Sequence, residues 1–571
     1  MDDIKPDENP MRILFLVHAF NSLSQRLYLE LAGHGHEVTL EFDVNDAVTE
    51  EAVSLFRPDL IIAPYLRRAI PESIWRRHVC LVVHPGIQGD RGPSALDWAI
   101  LDGVAEWGVT VLQANEEMDG GDVWAEVRFP VGRAKKSSLY RNEVTSAAVE
   151  AALAAVAKFE QGDCRGKPLD LRELGEARGW RPLMGQEVRA IDWLRDDTAT
   201  VLRKIHASDG FPGVLDEMGG IPCHLYDAHD ESALRGAPGS LLARHGGALC
   251  RATRDGAVWI GHVKLKGGEP AAIKLPAAMA LRERIADLPE IEPSSWREIR
   301  YEEKNSVGYL SFDFYNGAMG TTHCEALRAA FVEACGKDTR AIVLLGGEDF
   351  WSNGIHLNLI EAAQSPADES WRNINAMNDL ARTILTTRDK FTIAALRGNA
   401  GAGGVFLALA ADRIFARSSA VLNPHYKAMG NLYGSEYWTY LLPRRVGAER
   451  AFQITDRRLP LGAPQAKAMG LIDECRDGTA EEFRQWLESE AEALVQAPDY
   501  AERLAKKCRQ RDKDEAEKPL SAYREEELAH LKLNFYGFDS SYHVARYNFV
   551  FKVPRSRTPR HLALHRNAVR S

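Results

Sequence analysis

The segment CLVVHPGIQGDRGPSALDWAI, residues 80–100, decides how the N-terminal part of the chain folds. Its first half is an apolar run typical of a buried strand. Its second half has a helical pattern, and Pro93 suits the first turn of that helix. His84 stands where the strand ends, and ligands bind at that edge of an open α/β sheet. The segment therefore predicts a strand, a loop with a polar site, and a helix.

The same alternation extends to both sides of this segment. Apolar runs predict further strands, and helical patterns lie between or after them. The strands are expected at 11–17, 37–44, 59–65, 108–114 and 122–129, and the helices at 26–35 and 143–160. Strands that alternate with helices are typical of a parallel α/β sheet covered on both faces. We expect a Rossmann-like domain over residues 11–165.

The rest of the chain divides into four further parts. Short β-like runs separated by HGG and DG turns within 232–265 predict a small, β-barrel-like domain over 166–265. Residues 266–295 are rich in Gly, Pro and Ala and are expected to form a linker. A new α/β pattern begins at 296 and extends to 480, and VGYLSFDF (307–314) is its first predicted strand. Residues 481–571 are predicted to be a helical extension with a basic tail.

Composition excludes several classes of protein. The 571 residues are 45% hydrophobic and 27% charged, which is ordinary for a globular protein. No run of about 18 apolar residues indicates a membrane span, and the acidic N-terminus has no signal-peptide pattern. The eight cysteines include no CxxC pair, so we predict no metal site and a reducing cytoplasm. The net charge of −10 argues against a nucleic-acid partner.

Two loops of the N-terminal domain carry candidate catalytic residues. His84 follows one strand, and Asp119 lies in GVTVLQANEEMDGGDVW (108–124), in the loop before another strand. A His with a carboxylate partner can transfer protons near neutral pH. The two segments resemble the formyltransferase family that uses N10-formyltetrahydrofolate, and IDWLRDDTATVLRKIHASDGFPG (191–213) resembles the start of its C-terminal region. The resemblance implies that His84 and Asp119 are catalytic and that Asp122 is the second Asp of the family's loop.

The resemblance also implies a folate pocket and one departure from the family. The pocket would use the loop Leu66, Arg67 and Arg68 together with residues 116–119. Val82 stands where the family has an Asn that helps to hold the oxyanion. Loss of such a donor costs about 3–4 kcal/mol of transition-state stabilisation. Either another group supplies the donor or the acceptor is easier to formylate, as a thiolate would be.

A phosphate site is predicted at the same sheet edge. The loop NSLSQR (21–26) offers Ser24, Gln25 and helix-start N–H groups, and Arg141 in SSLYRNEV adds a cation. The alternatives are that Ser24 is only a helix cap and that Arg141 is a solvated surface residue.

Two glycine-bearing loops mark a second site, in the C-terminal domain. They are FWSNGIHLNLIE (350–361) and RGNAGAGGVFLALAADRIFA (397–416), and the second is a strand, a glycine turn and an apolar helix. Together with LLPRRVGAERAFQITDRRLPLGAPQAKAMGLIDE (441–474) they resemble the crotonase, or enoyl-CoA hydratase/isomerase, superfamily. That resemblance implies that the backbone N–H groups of Ile355 and Gly403 polarise the carbonyl of a coenzyme A thioester.

The carboxylates of the hydratases are missing. Phe406 and His425 occupy the positions of the two catalytic Glu residues. The nearby loop PHYKAMGNLYGSEYWTY (424–440) contains Tyr426, Tyr433 and Glu436. We predict that Tyr426 and Glu436 form a proton-transfer pair, with the pKa of one shifted toward neutrality. The alternative is that these tyrosines are core or interface aromatics.

The combination of the two halves resembles the HypX/HoxX-type [NiFe]-hydrogenase maturation factors. The resemblance rests on FNSLSQRLYLEL, HPGIQGDRGPSALDWAI and PHYKAMGNLYGSEYW and covers nearly the whole chain. It implies formyl transfer from N10-formyltetrahydrofolate to coenzyme A, then decarbonylation of formyl-CoA to carbon monoxide. The hydrogenase maturation machinery would be the partner, and Arg546 of the basic tail would contact coenzyme A phosphates. The alternatives are a hydrolase that releases formate and a non-catalytic scaffold that binds folate and coenzyme A.

Overall fold

The computed structural model describes residues 10–169, 179–267 and 272–567. The chain forms two compact units. Unit 1 contains residues 1–266, 276–294 and 555–571, and unit 2 contains residues 267–275 and 295–554. No helix in the described ranges has the length and apolar character of a membrane span.

The first part of unit 1 is a six-stranded sheet with helices along it. Its strands are β1 (Arg12–Val17), β2 (Glu37–Phe42), β3 (Leu60–Tyr65), β4 (Cys80–His84), β6 (Glu106–Gln113) and β7 (Val123–Pro130). Its helices are α1 (Ser22–Gly33), α2 (Asp46–Phe56), α3 (Glu72–Trp75), α4 (Ala95–Asp102), α5 (Lys136–Leu139) and α6 (Thr145–Glu160), and a π-helical turn spans Tyr140–Val144. The short strand β5 (Asp90–Arg91) pairs with β8 (Gly179–Trp180).

The sheet order is β2-β1-β3-β4-β6-β7. The first four strands are parallel, as predicted from their continuous apolar runs. The expectation of an all-parallel sheet is wrong at one edge, because β6 pairs antiparallel with both β4 and β7. The end of β6 lies beside the start of β4, with Gln113 opposite Leu81, and the loop after β6 then brings Asp119 next to His84.

The small β domain follows in unit 1. It contains α7 (Gln186–Arg189), α8 (Thr198–Ser208), β9 (Val214–Met218), β10 (Ile221–Glu231), β11 (Leu241–His245), β12 (Ala248–Ala252), β13 (Ala257–Leu265), β14 (Lys274–Pro276) and α9 (Ala277–Ala280). Strands β9 to β13 pair antiparallel. The predicted linker 266–295 is not simply a linker, because Ala277, Leu281 and Ile285 are buried in the core of this domain. Residues 268–271 of it lie outside the described residues.

Unit 2 contains two sheets. Its strands are β15 (Ile299–Lys304), β16 (Val307–Phe312), β17 (Ala341–Leu345), β18 (Phe350–Ser352), β19 (Phe391–Leu396), β20 (Asn399–Gly401), β21 (Arg413–Arg417), β22 (Val421–Asn423), β23 (Leu461–Gly462) and β24 (Glu474–Arg476). One sheet has the order β15-β16-β17-β19-β21-β24, and the other has the order β18-β20-β22-β23. Each glycine-bearing loop of the second site adjoins a strand of the smaller sheet.

The helices of unit 2 cover both faces of its large sheet. They are α10 (Thr321–Cys335), α11 (Leu357–Ala362), α12 (Pro366–Leu385), α13 (Gly403–Leu409), α14 (Trp438–Val446), α15 (Ala448–Arg457), α16 (Ala463–Ala468), α17 (Ala480–Gln496), α18 (Tyr500–Glu517), α19 (Leu520–Tyr536) and α20 (Ser541–Val550). Phe483, Leu487, Ala491 and Val495 recur every four residues along α17 and form one apolar face. That face packs on Val343 and its neighbours in the sheet. Much of the predicted extension is therefore part of the core of unit 2.

Candidate active sites

His84 lies between two carboxylates at the end of β4. Its Nε2 is 2.9 Å from Oδ2 of Asp90, and its Nδ1 is 3.6 Å from Oδ1 of Asp119. Asp119 has a positive φ of 53°, and its Oδ2 accepts a hydrogen bond from the Gly92 N–H at 3.1 Å. The structure therefore brings the predicted pair together and adds Asp90, which the sequence analysis missed. Its only signal was its place six residues after His84, in the same loop.

The two carboxylates control the charge of the His84 ring. Burial lowers the pKa of His84, but the hydrogen bond with Asp90 and the negative charges of Asp119 and Asp90 outweigh it. The net pKa is therefore raised above its ordinary value, which favours the protonated imidazolium. Gly86 packs closely against this pair: a Cβ at Gly86 would lie 2.3 Å from Nε2 of His84 and 2.5 Å from Oδ2 of Asp90.

Val82 offers no polar group to this site. Its side chain packs against the apolar cluster that contains Leu14 and Ile61. His84 lies two residues further along the same strand. Asp122 is half-buried beside Gly166 and makes no ion pair with His84 within the described residues.

The predicted folate loop lies after β3. The Arg67 guanidinium donates to the hydroxyl of Tyr65 at 2.9 Å, and Arg68 forms an ion pair with Asp46 at 2.7 Å. Leu66 packs against the same apolar cluster as Val82. Both arginine side chains are exposed, and each has a protein partner.

The predicted phosphate residues have different surroundings. Asn21 caps α1 by accepting from the Ser24 N–H at 3.0 Å. Ser24 is fully buried, and its hydroxyl donates to the same Asn21 oxygen, so its placement contradicts a role in phosphate binding. Asn21 also donates to the Tyr140 hydroxyl at 3.1 Å, which brings the start of α1 next to the π-helical turn that contains Arg141. Gln25 donates to the Phe20 carbonyl at 2.9 Å.

The two loops that carry the predicted oxyanion hole of unit 2 are in contact. Gly354 has a φ of 76°, and a Cβ there would lie 3.2 Å from the backbone nitrogen of Gly403. Ile355 follows Gly354, and Gly403 is the first residue of α13, where a helix leaves N–H groups unpaired. Neither the Ile355 N–H nor the Gly403 N–H has a hydrogen-bond acceptor within the described chain. The two N–H groups are thus free to bind a carbonyl oxygen.

Tyr426 and Glu436, which the sequence analysis predicts to be a proton-transfer pair, are in hydrogen-bond contact. The Tyr426 hydroxyl lies 2.5 Å from Oε2 of Glu436 and 3.0 Å from the carbonyl oxygen of Ser435. The other oxygen of Glu436 faces the oxyanion hole, since a Cβ at Gly403 would lie 2.3 Å from Oε1. A hydroxyl has one proton to donate, and Tyr426 donates it to Oε2 of Glu436 when that carboxyl group is ionised.

Burial sets the acidity of this pair. Both side chains are nearly inaccessible to solvent. Burial, with a smaller contribution from the charge of Glu527, raises the pKa of Glu436 to about 8. Burial and the Glu436 charge raise the pKa of Tyr426 well above its usual value. A carboxyl group with a pKa near 8 is a stronger base than an ordinary Glu and still ionises near neutral pH.

The residues that replace the hydratase carboxylates are not ionisable acids. Phe406 is fully buried and stacks on Tyr426 with ring centroids 5.2 Å apart. His425 is half-buried, and its backbone N–H donates to the carbonyl of Asn423 at 2.8 Å. Tyr433 stacks on His530 at 4.1 Å and is therefore an aromatic packing residue. Of the tyrosines at 426 and 433, only Tyr426 contacts Glu436 in the described chain.

The basic tail does not supply a free cation at Arg546. Arg546 is buried in α20 and forms an ion pair with Glu361 at 2.6 Å, because α20 packs on α11. This placement contradicts its assignment to the phosphates of coenzyme A. Further along the tail, Arg566 pairs with Glu41 of β2 at 2.8 Å. Thr558 and His565 also contact Glu41.

Comparison with known proteins shows the relatives of each part. Three protein-family models match the chain. The family "Formyl transferase" matches residues 13–156, "Formyl transferase, C-terminal domain" matches residues 184–278, and "Enoyl-CoA hydratase/isomerase" matches residues 302–535. The last match includes α17, α18 and almost all of α19, beyond the predicted boundary at 480. Methionyl-tRNA formyltransferase of Ralstonia nicotianae is 25% identical over 43% of this chain and 72% of its own length.

Two relatives match nearly the whole chain. Hydrogenase maturation factor HoxX of Bradyrhizobium diazoefficiens is 54% identical over 561 residues, which is 97% of each chain. The crystal structure of HypX from Aquifex aeolicus in complex with tetrahydrofolic acid is similar, with a TM-score of 0.94 and 50% identity over 98% of this chain and 99% of that one. The same order of domains is thus found in proteins from two organisms.

Proposed function

This chain belongs to the HoxX/HypX family of hydrogenase maturation factors, and from that premise we propose that it makes carbon monoxide for the active site of [NiFe]-hydrogenase. Unit 1 would transfer a formyl group from N10-formyltetrahydrofolate to coenzyme A. Unit 2 would split the resulting formyl-CoA into carbon monoxide and coenzyme A. We place both reactions in the cytoplasm, with the hydrogenase maturation machinery as the recipient. The tetrahydrofolic acid bound to the Aquifex relative supports the choice of donor.

His84, Asp90 and Asp119 would carry out the formyl transfer. The thiolate of coenzyme A attacks the formyl carbon, and the carbonyl oxygen becomes an oxyanion. The protonated His84 ring, between its two carboxylates, stabilises that oxyanion in place of the missing Asn. The carbon–nitrogen bond then breaks, and N10 of the folate takes a proton from His84. The proton that the coenzyme A thiol gave up on ionising returns to His84, so the thiol proton ends on N10.

Glu436 would be the base of the second reaction. The N–H groups of Ile355 and Gly403 bind the formyl oxygen, which places the formyl carbon beside Oε1 of Glu436. Glu436 removes the formyl proton, the carbon–sulfur bond breaks, and carbon monoxide leaves. The proton returns to the thiolate, whose ordinary pKa of about 8.5 is close to that of Glu436. The near match makes both proton transfers feasible.

One observation carries this proposal: a single buried carboxyl group, paired with Tyr426, faces Gly403 where the hydratase acids are replaced by Phe406 and His425. A formyl thioester has no α-carbon, so enolate chemistry is impossible. Loss of the formyl proton requires only one base next to an oxyanion hole. The geometry of unit 2 supports that requirement.

The test is a product assay with purified full-length protein. Formyltetrahydrofolate and coenzyme A are supplied together, or formyl-CoA alone, and deoxyhaemoglobin spectra report carbon monoxide while formate is measured in parallel. We expect a carbonmonoxy-haemoglobin band in both reactions. Formate without that band would instead support a hydrolase. If neither carbon monoxide nor formate is formed, the result would support a scaffold that binds folate and coenzyme A.

A further inference from the structure

The turn that contains Glu436 has an unfavourable backbone. Glu436 and Tyr437 are consecutive non-glycine residues with φ values of 59° and 60°. Each left-handed residue costs about 1–2 kcal/mol. Such a conformation persists only where neighbouring groups hold it. The groups that hold this turn come from two other helices, α12 and α19.

Glu527 of α19 accepts three hydrogen bonds from the turn and contacts a fourth polar group there. Its Oε2 accepts from the Tyr437 N–H at 3.0 Å and lies 3.3 Å from the Ser435 hydroxyl. Its Oε1 accepts from the Thr439 N–H at 2.9 Å and the Thr439 hydroxyl at 2.6 Å. The Tyr437 N–H, the Thr439 N–H and the Thr439 hydroxyl are three donors on two oxygens, which suits an ionised carboxylate, since it has only acceptor sites. Glu527 therefore caps the start of α14, and its negative charge is buried when it is ionised.

Asn378 of α12 holds the other side of the turn. Its amide oxygen accepts from the Glu436 N–H and from the Ser435 hydroxyl, each at 2.8 Å. Asn378 is fully buried. The Ser435 hydroxyl thus lies between the amide of Asn378 and the carboxylate of Glu527. Asn378 therefore holds the backbone N–H of Glu436, and Glu527 holds the backbone N–H of Tyr437.

We propose that Glu527 is a positioning residue for the decarbonylation: it holds the turn that aims Glu436 at Gly403, and its negative charge makes Glu436 a stronger base. This inference rests on the proposed function and deepens it. It gives the C-terminal helices a role at the reaction site, in addition to their role in the core of unit 2.

The electrostatics agree with this arrangement. Burial raises the pKa of Glu527 to about 7 despite its donors, and the Glu527 charge adds to the effect of burial on Glu436. The Glu436 charge also raises the pKa of the buried Cys324 thiol. The ionisable side chains that interact with Glu436 or Glu527 in the described residues include Tyr426, Cys324 and Tyr433. The neighbouring Tyr437 in turn interacts with Arg524, Arg382 and Asp379.

The test is the pH profile of carbon monoxide release from supplied formyl-CoA, measured for Glu527→Gln. Glutamine keeps the shape of the Glu527 side chain but carries no charge. The ionised form of Glu436 is then less destabilised, and the pKa of Glu436 falls. The midpoint at which the rate rises with pH should move down by about one pH unit, and the plateau rate should fall. The matched control is Glu526→Gln, because Glu526 is exposed and pairs with Lys518 at 2.6 Å. Its profile should match the wild type.

Thr439→Val is a second variant in case Glu527→Gln does not fold. It removes one donor from Glu527, which favours protonated Glu527 and should move the midpoint in the same direction by less. A folded variant with an unmoved midpoint, or one that moves up, overturns the inference. Failure of the proposed function is distinguishable, because the wild type would then release no carbon monoxide from formyl-CoA.

Discussion

The replacement Tyr426→Phe gives the sharpest test of the chemistry in unit 2. Phenylalanine preserves the stacking on Phe406 but removes the hydroxyl that lies 2.5 Å from Glu436. Since that hydrogen bond lowers the pKa of Glu436, its loss raises the value above about 8. A hydrogen bond to a charged group contributes about 1.5–3 kcal/mol, and 1.36 kcal/mol corresponds to one pKa unit. The shift is therefore about one to two units.

The expected result is a pH–rate profile that is displaced to higher pH. At pH 7 a base with a pKa near 8 is roughly one-tenth ionised, and the variant should be about 10- to 100-fold slower there. Much of the deficit should disappear above pH 9. The assay is carbon monoxide release from formyl-CoA between pH 6 and 10. The matched control is Tyr433→Phe, which removes a hydroxyl outside the pair. A profile for Tyr426→Phe that is lower at every pH but not displaced would refute the reasoning.

Three further predictions concern unit 1. His84→Ala should abolish formyl transfer, and supplied formyl-CoA should restore carbon monoxide release; if it does not, the order of the two reactions is wrong. Gly86→Ala should slow formyl transfer about 100-fold, because its Cβ would lie 2.3 Å from Nε2 of His84, whereas Gly132→Ala, with open space around it, should have no effect. Glu41→Ala should destabilise the protein by about 3 kcal/mol, since it leaves the buried Thr558 and His565 side chains without their carboxylate partner. Denaturant titration followed by near-UV circular dichroism would detect no change if the tail were only loosely attached.

The pH dependence of the Glu41 contact has a definite sign. Burial raises the pKa of Glu41, but hydrogen bonds from His565, Thr558 and Arg566 outweigh it, so the pKa is lowered from 4.5. The stability that Glu41 contributes is therefore fully present above the ordinary value and is lost as the pH falls through the lowered one. The difference in stability between wild type and Glu41→Ala should be constant near neutrality and shrink below about pH 4.5.

Local patterns predicted much of the fold and part of each site. The apolar runs before His84 and Gly398 are strands, because a strand that is buried on both faces needs apolar side chains at successive positions. The glycine loops at 354 and 403 were recognisable because close backbone contact leaves no room for a side chain. Tyr426 and Glu436 were identified together because they lie ten residues apart in one loop. All of these features depend on short stretches of sequence.

Contacts between distant segments escaped the sequence analysis. Glu527 lies 92 residues from Ser435, in a charged helix whose pattern is the same whether that carboxylate faces solvent or a catalytic turn. The closing of the tail over β2 and the antiparallel edge of the first sheet are likewise invisible to periodicity.

The sequence by itself determined the two folds and the order of the domains, since local apolar periodicity and the resemblance of its motifs to two families both point to them, and it supplied the candidate site residues. Only the tertiary structure decided which carboxylates act together: Asp90 with His84, and Glu527 with the turn at Glu436. The physical reason is that burial and neighbouring charge, which set proton affinity, arise when segments far apart in the chain exclude water around the same few atoms.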